Sequence, residues 1–165
     1  MEQVVLVDEQ DRPTGYMEKL EAHKKGLLHR AVSVCLFDKQ GRWLIQQRAT
    51  SKYHSPGLYA NSCCSHPRKG ESPKDAAERR VYEELGIHVK LRYATSFIYR
   101  ADVGSGLIEH EYDHLFIGKY DGAVDPNPNE VSQVVWWSKE EIEKKLKNTP
   151  EIFAGWFKEV FFYLS

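Results

Sequence analysis

The run Gly106-Leu-Ile-Glu-His-Glu-Tyr-Asp-His-Leu-Phe116 carries two acids, Glu109 and Glu111, inside a segment patterned as a buried strand. Residues at i and i+2 of a strand share a face, so both carboxylates point the same way. Two like charges held that close need a cation or a shared proton. A divalent metal is the economical answer, and His23, His29 and His66 offer nitrogen donors. Three imidazoles and two carboxylates exceed the four-ligand shell of structural zinc. They suit a five- or six-coordinate Mn²⁺ or Zn²⁺ centre, whereas Mg²⁺ prefers oxygen alone. The competing reading leaves His23 and His29 as surface residues of a polar loop. Two residues before His66 stands the pair Cys63-Cys64. If that segment is extended, Cys64 and His66 point the same way and a thiol lies beside the metal, where its protonation can be tuned for acid–base use. Cys63 then faces away, and Cys35 reads as a small apolar filler. A redox role for Cys63 and Cys64 is the weaker alternative, since the familiar redox motif has two residues between its cysteines.

Positioning these groups is the work of the surrounding elements. Residues 4–7 read as a short strand followed by a turn-rich stretch over 8–15, and residues 31–37 as a buried strand. A turn at 38–41 leads into a strand over 43–48, its expected hairpin partner, with Gln46, Gln47 and Arg48 heading toward solvent or a site. The best-marked helix begins at Ser72 as N-cap, with Pro73 at N1 and Asp75 at N3, and stops at Gly86. Its stripe of Ala76, Ala77, Val81 and Leu85 faces a sheet, with Arg80 and Glu84 on another face. Strands over 88–100 and 109–119 flank a loop at 102–106; another follows at 134–137. Ser138 caps a charged helix over 139–147, and Pro150 precedes an aromatic helix over 151–164. The fold class is therefore α+β, a sandwich of mixed sheets with helices outside.

At 165 residues, with 41% hydrophobic and 28% charged, the chain fits a single domain over 1–165. A net charge of −1 creates no field for nucleic acid or an acidic membrane, so any phosphate must be held by local cations. Three cysteines, two of them adjacent, argue against a disulfide scaffold and for a reducing cytoplasm. The first residues contain only a four-residue apolar run, too short for a signal peptide or membrane span. Nothing in the pattern specifies an oligomer.

The helix sequence from Glu71 to Ile87, with seven residues between Glu71 and Arg79 and then Arg79-Arg-Val-Tyr-Glu-Glu-Leu-Gly-Ile87, resembles the core of the Nudix box. That family's fold is an α/β/α sandwich binding Mg²⁺ and diphosphates. Two departures stand out: Ser65 replaces the leading glycine, and Arg80 replaces the glutamate that follows the arginine and matters for hydrolysis. The bland alternative is a solvent face laced by ion pairs. Together with Asn61-Ser-Cys-Cys-Ser-His-Pro67, Phe97-Ile-Tyr-Arg-Ala101 and Glu109-His-Glu111, the variant box resembles type 1 isopentenyl-diphosphate delta-isomerase from about Lys19 to Trp156. The resemblance implies interconversion of isopentenyl and dimethylallyl diphosphate through a carbocation. It implies Cys64 and Glu111 as the acid–base pair, with Tyr99 hydrogen-bonded to Glu111, and Trp156 as the aromatic ring facing the cation. It also implies Lys19, Arg48, Lys52 and Arg80 as diphosphate contacts, Glu84 as ligand of a substrate-bound Mg²⁺, and His23, His29, His66, Glu109 and Glu111 as ligands of a second metal. A Nudix pyrophosphohydrolase and a non-catalytic, metal-stabilised binding module are the competing readings; Arg80 argues against the first, and the pairing of Cys64 with Glu111 against the second.

Overall fold

A computed structural model describes residues 2–165. Its nine strands are hydrogen-bonded into a mixed sheet. At the centre lies β3 (His29–Phe37), paired in parallel with β8 (Leu107–Lys119) from His29↔Glu111 to Phe37↔Lys119. On its other side β3 meets β6 (Cys63–Ser65), antiparallel, with Ser33 opposite Cys64 and Val34 opposite Cys63. β7 (Arg92–Gly104) forms a long hairpin with β8. β4 (Trp43–Arg48) pairs with β5 (Tyr59–Ala60) and β9 (Val131–Trp137), while β1 (Gln3–Val7) and β2 (Pro13–Glu18) make a hairpin beside the start of β3.

Helices cover both faces, which gives the expected sandwich. On one face Val32, Val34 and Leu36 of β3, Cys63 of β6 and Phe116 of β8 pack against Ala77, Val81 and Leu85 of α2 (Pro73–Leu85). The alternate residues Cys35 and Leu115 pack on the opposite face against α3 (Lys139–Asn148), a 3₁₀ turn at Pro150–Ile152 and α4 (Phe157–Leu164). The period of two therefore sends the other outward-turned residues of β3, β6 and β8 to the α4 face as well, and these are the chemical ones.

The caps follow the sequence signals. Ser72 accepts the Asp75 amide, Gly86 closes α2 at φ 67°, and Ser138 forms a capping box with Glu141. Several expectations need correction. β3 and β4 do not form a hairpin ladder; they share only the pair Phe37↔Trp43, because β3 spends its hydrogen bonds on β8 and β6. The stretch read as turn over 8–15 runs into a strand at its end, since Pro13 to Gly15 belong to β2. The strand expected from 88 begins at Arg92, and β7 and β8 run closer together than expected, leaving only Ser105-Gly106 between them. The final helix is interrupted: Phe153 is extended, and α4 starts only at Phe157, with Trp156 as its N-cap.

Candidate functional site

Sheet register builds the floor of the site. Glu109, Glu111 and Asp113 alternate along β8 and are 4%, 6% and 1% exposed, so all three are buried carboxylates on one face. His29 sits opposite Glu111 in the β3–β8 ladder, and its Nε2 lies 3.5 Å from Glu111 Oε2. His66, just past β6, brings its Nε2 to 3.1 Å from the same oxygen. The fourth candidate ligand, His23, comes from α1 (Lys19–Lys25), a short helix in the stretch expected to be loop. Its signal is weak because its buried side is only Ala22 and His23, with no apolar period to detect. His23 and His29 are fully buried, which rules out the reading of both as surface residues.

The histidines are set up as neutral donors. His23 Nδ1–H donates to the Lys19 carbonyl at 2.7 Å, and His29 Nδ1–H to the Leu27 carbonyl at 2.8 Å. Each neutral ring therefore turns an Nε2 lone pair inward, where it has no hydrogen-bond partner among the described residues. Burial lowers the His23 pKa, against the pull of the Lys19 carbonyl, and pushes His66 down to about 4 despite its bond to Glu111. Burial and then the neighbouring Glu111 push Glu109 well above the ordinary carboxylate range. Burial works the same way on Glu111, but the His29 and His66 rings, with Nε2 at 3.5 and 3.1 Å, overcome it and hold that carboxyl well below. Lone pairs converging on carboxylates, with Glu109 Oε1 also unpartnered, are a donor set that a divalent cation would satisfy. His23, His29, His66 and Glu111 form one group whose ligand atoms lie within 4.8 Å of one another; Glu109 falls into a second such group with His23 and His54. His54 and Asp113 were missed in the sequence. His54 sits in a loop with no periodic signal, whereas Asp113 lies at i+2 from Glu111 and was findable by the same rule.

Cys64 lies beside this cluster. Its strand partner Ser33 donates to Asp113 Oδ2 at 2.7 Å, and Ser33 Oγ is 3.8 Å from Cys64 Sγ. The thiol donates to Asn61 Oδ1 at 3.1 Å and accepts from Trp156 Nε1 at 3.0 Å; Trp156 Nε1 also reaches Asn61 Oδ1 at 3.2 Å. Burial, with Asp113 nearby, pushes the Cys64 thiol well up, so it holds its proton. Tyr99 stands opposite Glu111 in the β7–β8 register, but no hydrogen bond joins them; its hydroxyl lies against Gly155, where a Cβ would meet it at 2.9 Å. Burial and the two glutamates raise the Tyr99 pKa.

Cys64, Glu109, Glu111 and Trp156 line a cleft whose mouth carries Lys19, Arg48, Lys52 and Arg80. Three of these cations are already paired: Lys19 with Glu2 at 3.4 Å, Lys52 with Glu130 at 2.5 Å, and Arg80 with Glu83, Glu84 and Glu130 at 2.9, 2.6 and 3.4 Å. Arg48 lies 5.0 Å from the Trp156 ring centre and leaves its Nε unpartnered among the described residues. Glu84 stands apart from the other expected ligands: it is 3% exposed, with one oxygen on Arg80 and the other accepting from Gln46 at 3.0 Å. Cys63 is fully buried on the α2 face, as its alternation with Cys64 requires.

The chain matches the NUDIX domain family over residues 27–157. It is 47% identical over 155 residues to isopentenyl-diphosphate Delta-isomerase 2 of Aromatoleum aromaticum, covering 94% of this chain and 82% of that protein. It is 49% identical over 159 residues to isopentenyl-diphosphate Delta-isomerase of Pectobacterium atrosepticum, with 96% and 89% covered. Among solved structures it superposes on DR0079 from Deinococcus radiodurans with a TM-score of 0.81 at 22% identity, covering 97% of each chain, a likeness of fold.

Proposed function

Because this chain belongs to the isopentenyl-diphosphate Delta-isomerase family and carries its NUDIX domain, we propose that its cleft is the isomerase active site, with residues 1–165 acting as a single isomerase domain. The enzyme interconverts isopentenyl and dimethylallyl diphosphate. The observation that carries the assignment of the site is the meeting of a protonated thiol, a carboxylate and an indole in one cleft with four cations at its mouth. The small prenyl diphosphate lays its charged end among Lys19, Arg48, Lys52 and Arg80 and its alkene between Cys64 and Glu111.

Cys64 delivers its proton to the terminal alkene carbon, and the π electrons form that C–H bond, leaving a tertiary cation. Glu111 removes a proton from the methylene next to it, and the electrons of the broken C–H bond form the new double bond. Atoms and charge balance, and the proton has moved from thiol to carboxylate. In reverse the roles exchange. Trp156, 3% exposed, excludes water, and its ring would stabilise a neighbouring cation by about 0.5–2 kcal/mol. Asn61 fixes the thiol and the indole on one amide oxygen. Tyr99 holds a hydroxyl proton opposite Glu111 for exchange. When bound, a divalent ion at His23, His29, His66, Glu109 and Glu111, Mn²⁺ or Zn²⁺ by donor type, supplies positive charge that keeps both carboxylates ionised. A Mg²⁺ carried with the diphosphate would be held by Glu84 through the oxygen that Arg80 now occupies, and would add positive charge beside the phosphate. The three free cysteines suit a cytoplasmic setting, and no helix is long and apolar enough to cross a membrane.

The test is proton NMR of the full chain with isopentenyl diphosphate, Mg²⁺ and Mn²⁺ in D₂O. Dimethylallyl diphosphate carrying solvent deuterium is expected in wild type but not in Cys64→Ala or Glu111→Gln. Unimpaired turnover in either variant overturns that residue's role, and phosphate release instead of isomer returns the site to hydrolysis.

A further inference from the structure

His54 has no part in the chemistry just described, yet it is 4% exposed and turned into the metal-ligand cluster. Its Nδ1 contacts Ser55 Oγ at 3.2 Å, which leaves Nε2 as the free end, 3.8 Å from Glu109 Oε2. The ring is wedged edge-on between Tyr53 and Trp156, with centroid separations of 4.4 and 5.6 Å, and the Arg48 guanidinium holds its backbone carbonyl at 3.1 Å. Beside it, two buried donors lack partners among the described residues: His23 Nε2 and Glu109 Oε1. The free atoms of His23, His54 and Glu109 lie within 4.8 Å of one another.

We propose that His54 is a fourth histidine ligand of the same metal centre, completing with Glu109 the half of the ligand shell that faces the cleft. Two ligand atoms each about 2.1 Å from one ion are separated by about 3.0 Å at a right angle and about 4.2 Å when opposed. The separations of 3.1 Å for His66–Glu111, 3.5 Å for His29–Glu111 and 3.8 Å for His54–Glu109 all fall in that window. One ion is required rather than two. His23 has a single free nitrogen, since Nδ1 is held by the Lys19 carbonyl, and both ligand groups need it. One dication also neutralises Glu109 and Glu111, whereas two would bury an excess of positive charge. The resulting shell has four imidazole nitrogens and two carboxylates, a set that favours Zn²⁺, Co²⁺ or Ni²⁺ over Mg²⁺. It places the only cleft-facing imidazole of the α1–β5 region, His54, against Trp156 and Arg48, so metal loading and the packing of the cation-facing indole are linked.

This assignment rests on the reading of the His/Glu cluster as a metal centre, and the experiment separates the two. Metal-free full-length protein is titrated with Co²⁺ against a chelator of known affinity, following the visible d–d bands, for wild type, His54→Ala and the bulkier His54→Gln. Thermal melts of the metal-free forms establish that each variant folds. Wild type is expected to bind one Co²⁺ per chain, and both variants to bind one ion with a dissociation constant raised at least about tenfold and an altered band pattern. Added imidazole should restore the wild-type bands in His54→Ala, which a packing role for His54 would not permit. Wild-type affinity and bands in the folded variants overturn the His54 assignment and leave the centre standing. Two ions in wild type, one of them lost in the variants, overturn the single-centre assignment. No Co²⁺ bound to wild type overturns the centre itself.

Discussion

On the floor of the cleft, β3, β6 and β8 hold His29, Ser33, Cys64, Glu109, Glu111 and Asp113 by register, every one of them on the same face of one sheet. At its mouth, Lys19, Lys52 and Arg80 come from helices and a loop and are held by Glu2, Glu83, Glu84 and Glu130. Inverse charge logic governs the two regions. The floor keeps donors unpartnered in a buried site, a set that a cation would satisfy. The mouth keeps its cations paired with resident carboxylates, so their charges are balanced without substrate, and a diphosphate binding there would have to take them from their glutamates. Unsatisfied buried groups cost about 1–3 kcal/mol each, whereas in these partly buried ion pairs a cation can exchange one anion for another without being left unpaired.

The largest effects should come from the floor. Cys64→Ala and Glu111→Gln are each expected to lower turnover by at least about 10²–10⁴-fold, read by deuterium incorporation, while the apo melting temperature stays near wild type. A comparable loss from a mouth variant such as Lys52→Ala would break the contrast. Next comes metal removal. At an ion concentration 100 times its dissociation constant, loading should stabilise the fold by about 2.7 kcal/mol, seen as a melting shift that a chelator reverses. An unchanged melt on adding Zn²⁺ or Mn²⁺ would mean that the orphaned donors are not a cation site.

Asn61→Ala sharpens the same contrast. Asn61 is fully buried, its amide donating to the Val34 and Cys63 carbonyls at 3.0 Å each and its oxygen serving Cys64 and Trp156. Its loss should cost about 1–3 kcal/mol and reduce kcat more than KM, because it positions the proton donor rather than the diphosphate. A rise in KM alone would move Asn61 to the binding side.

The difference between the regions also governs how much of each was legible in the sequence. Period-two alternation put Glu109 and Glu111 on one face and separated Cys64 from Cys63, because a strand's side-chain direction depends only on position. The same alternation reaches Asp113, whose burial beside Ser33 was there to be read. α2 was readable from Ser72 to Gly86 because caps and an apolar stripe agree. α1 was not, since its buried residues are Ala22 and His23 and a histidine sends no hydropathy signal. The pairing of β3 with β8, some eighty residues apart, is set by tertiary packing and leaves no local trace. At the mouth, Lys19, Lys52 and Arg80 were identified only through family resemblance, and their partners Glu2 and Glu130 went unnoticed, because a charge on a loop or helix end carries no periodicity that tells where it points.

Glu130 tests the mouth directly. Its carboxylate takes both Lys52 and Arg80, the same cations a diphosphate would use. Burial opposes ionisation of Glu130, but the Lys52 hydrogen bond and both cations hold its pKa below the ordinary value, so it is charged at neutral pH. Glu130→Gln removes that competitor and is expected to lower KM by a few-fold with little change in kcat, an effect that shrinks with added salt. A raised KM would show that Glu130 positions the two cations rather than occupying them.

The smallest expected effect lies on the outer face of α2, where Glu71 and Arg79 pair bidentately at 2.8 and 2.9 Å, Glu71 also accepting the Arg68 amide at 2.9 Å. The Arg79 hydrogen bonds, opposed by partial burial, lower the Glu71 pKa. A carboxyl whose pKa is depressed by folding binds fewer protons in the folded state, so its stabilisation is fully present above the unfolded value near 4.3 and is lost as pH falls through the folded value. Wild type should therefore exceed Glu71→Gln by about 1 kcal/mol in urea melts at pH 7, and the gap should close progressively below about pH 4. Turnover should change little, since Glu71 touches neither the thiol nor the cations at the cleft mouth, and Arg79 keeps its bond to the Glu83 oxygen it shares with Arg80. A gap that persists undiminished at low pH would mean that Glu71 acts through packing and not through charge, and a large loss of turnover would extend the catalytic machinery onto a face of α2 that the contrast between floor and mouth leaves out.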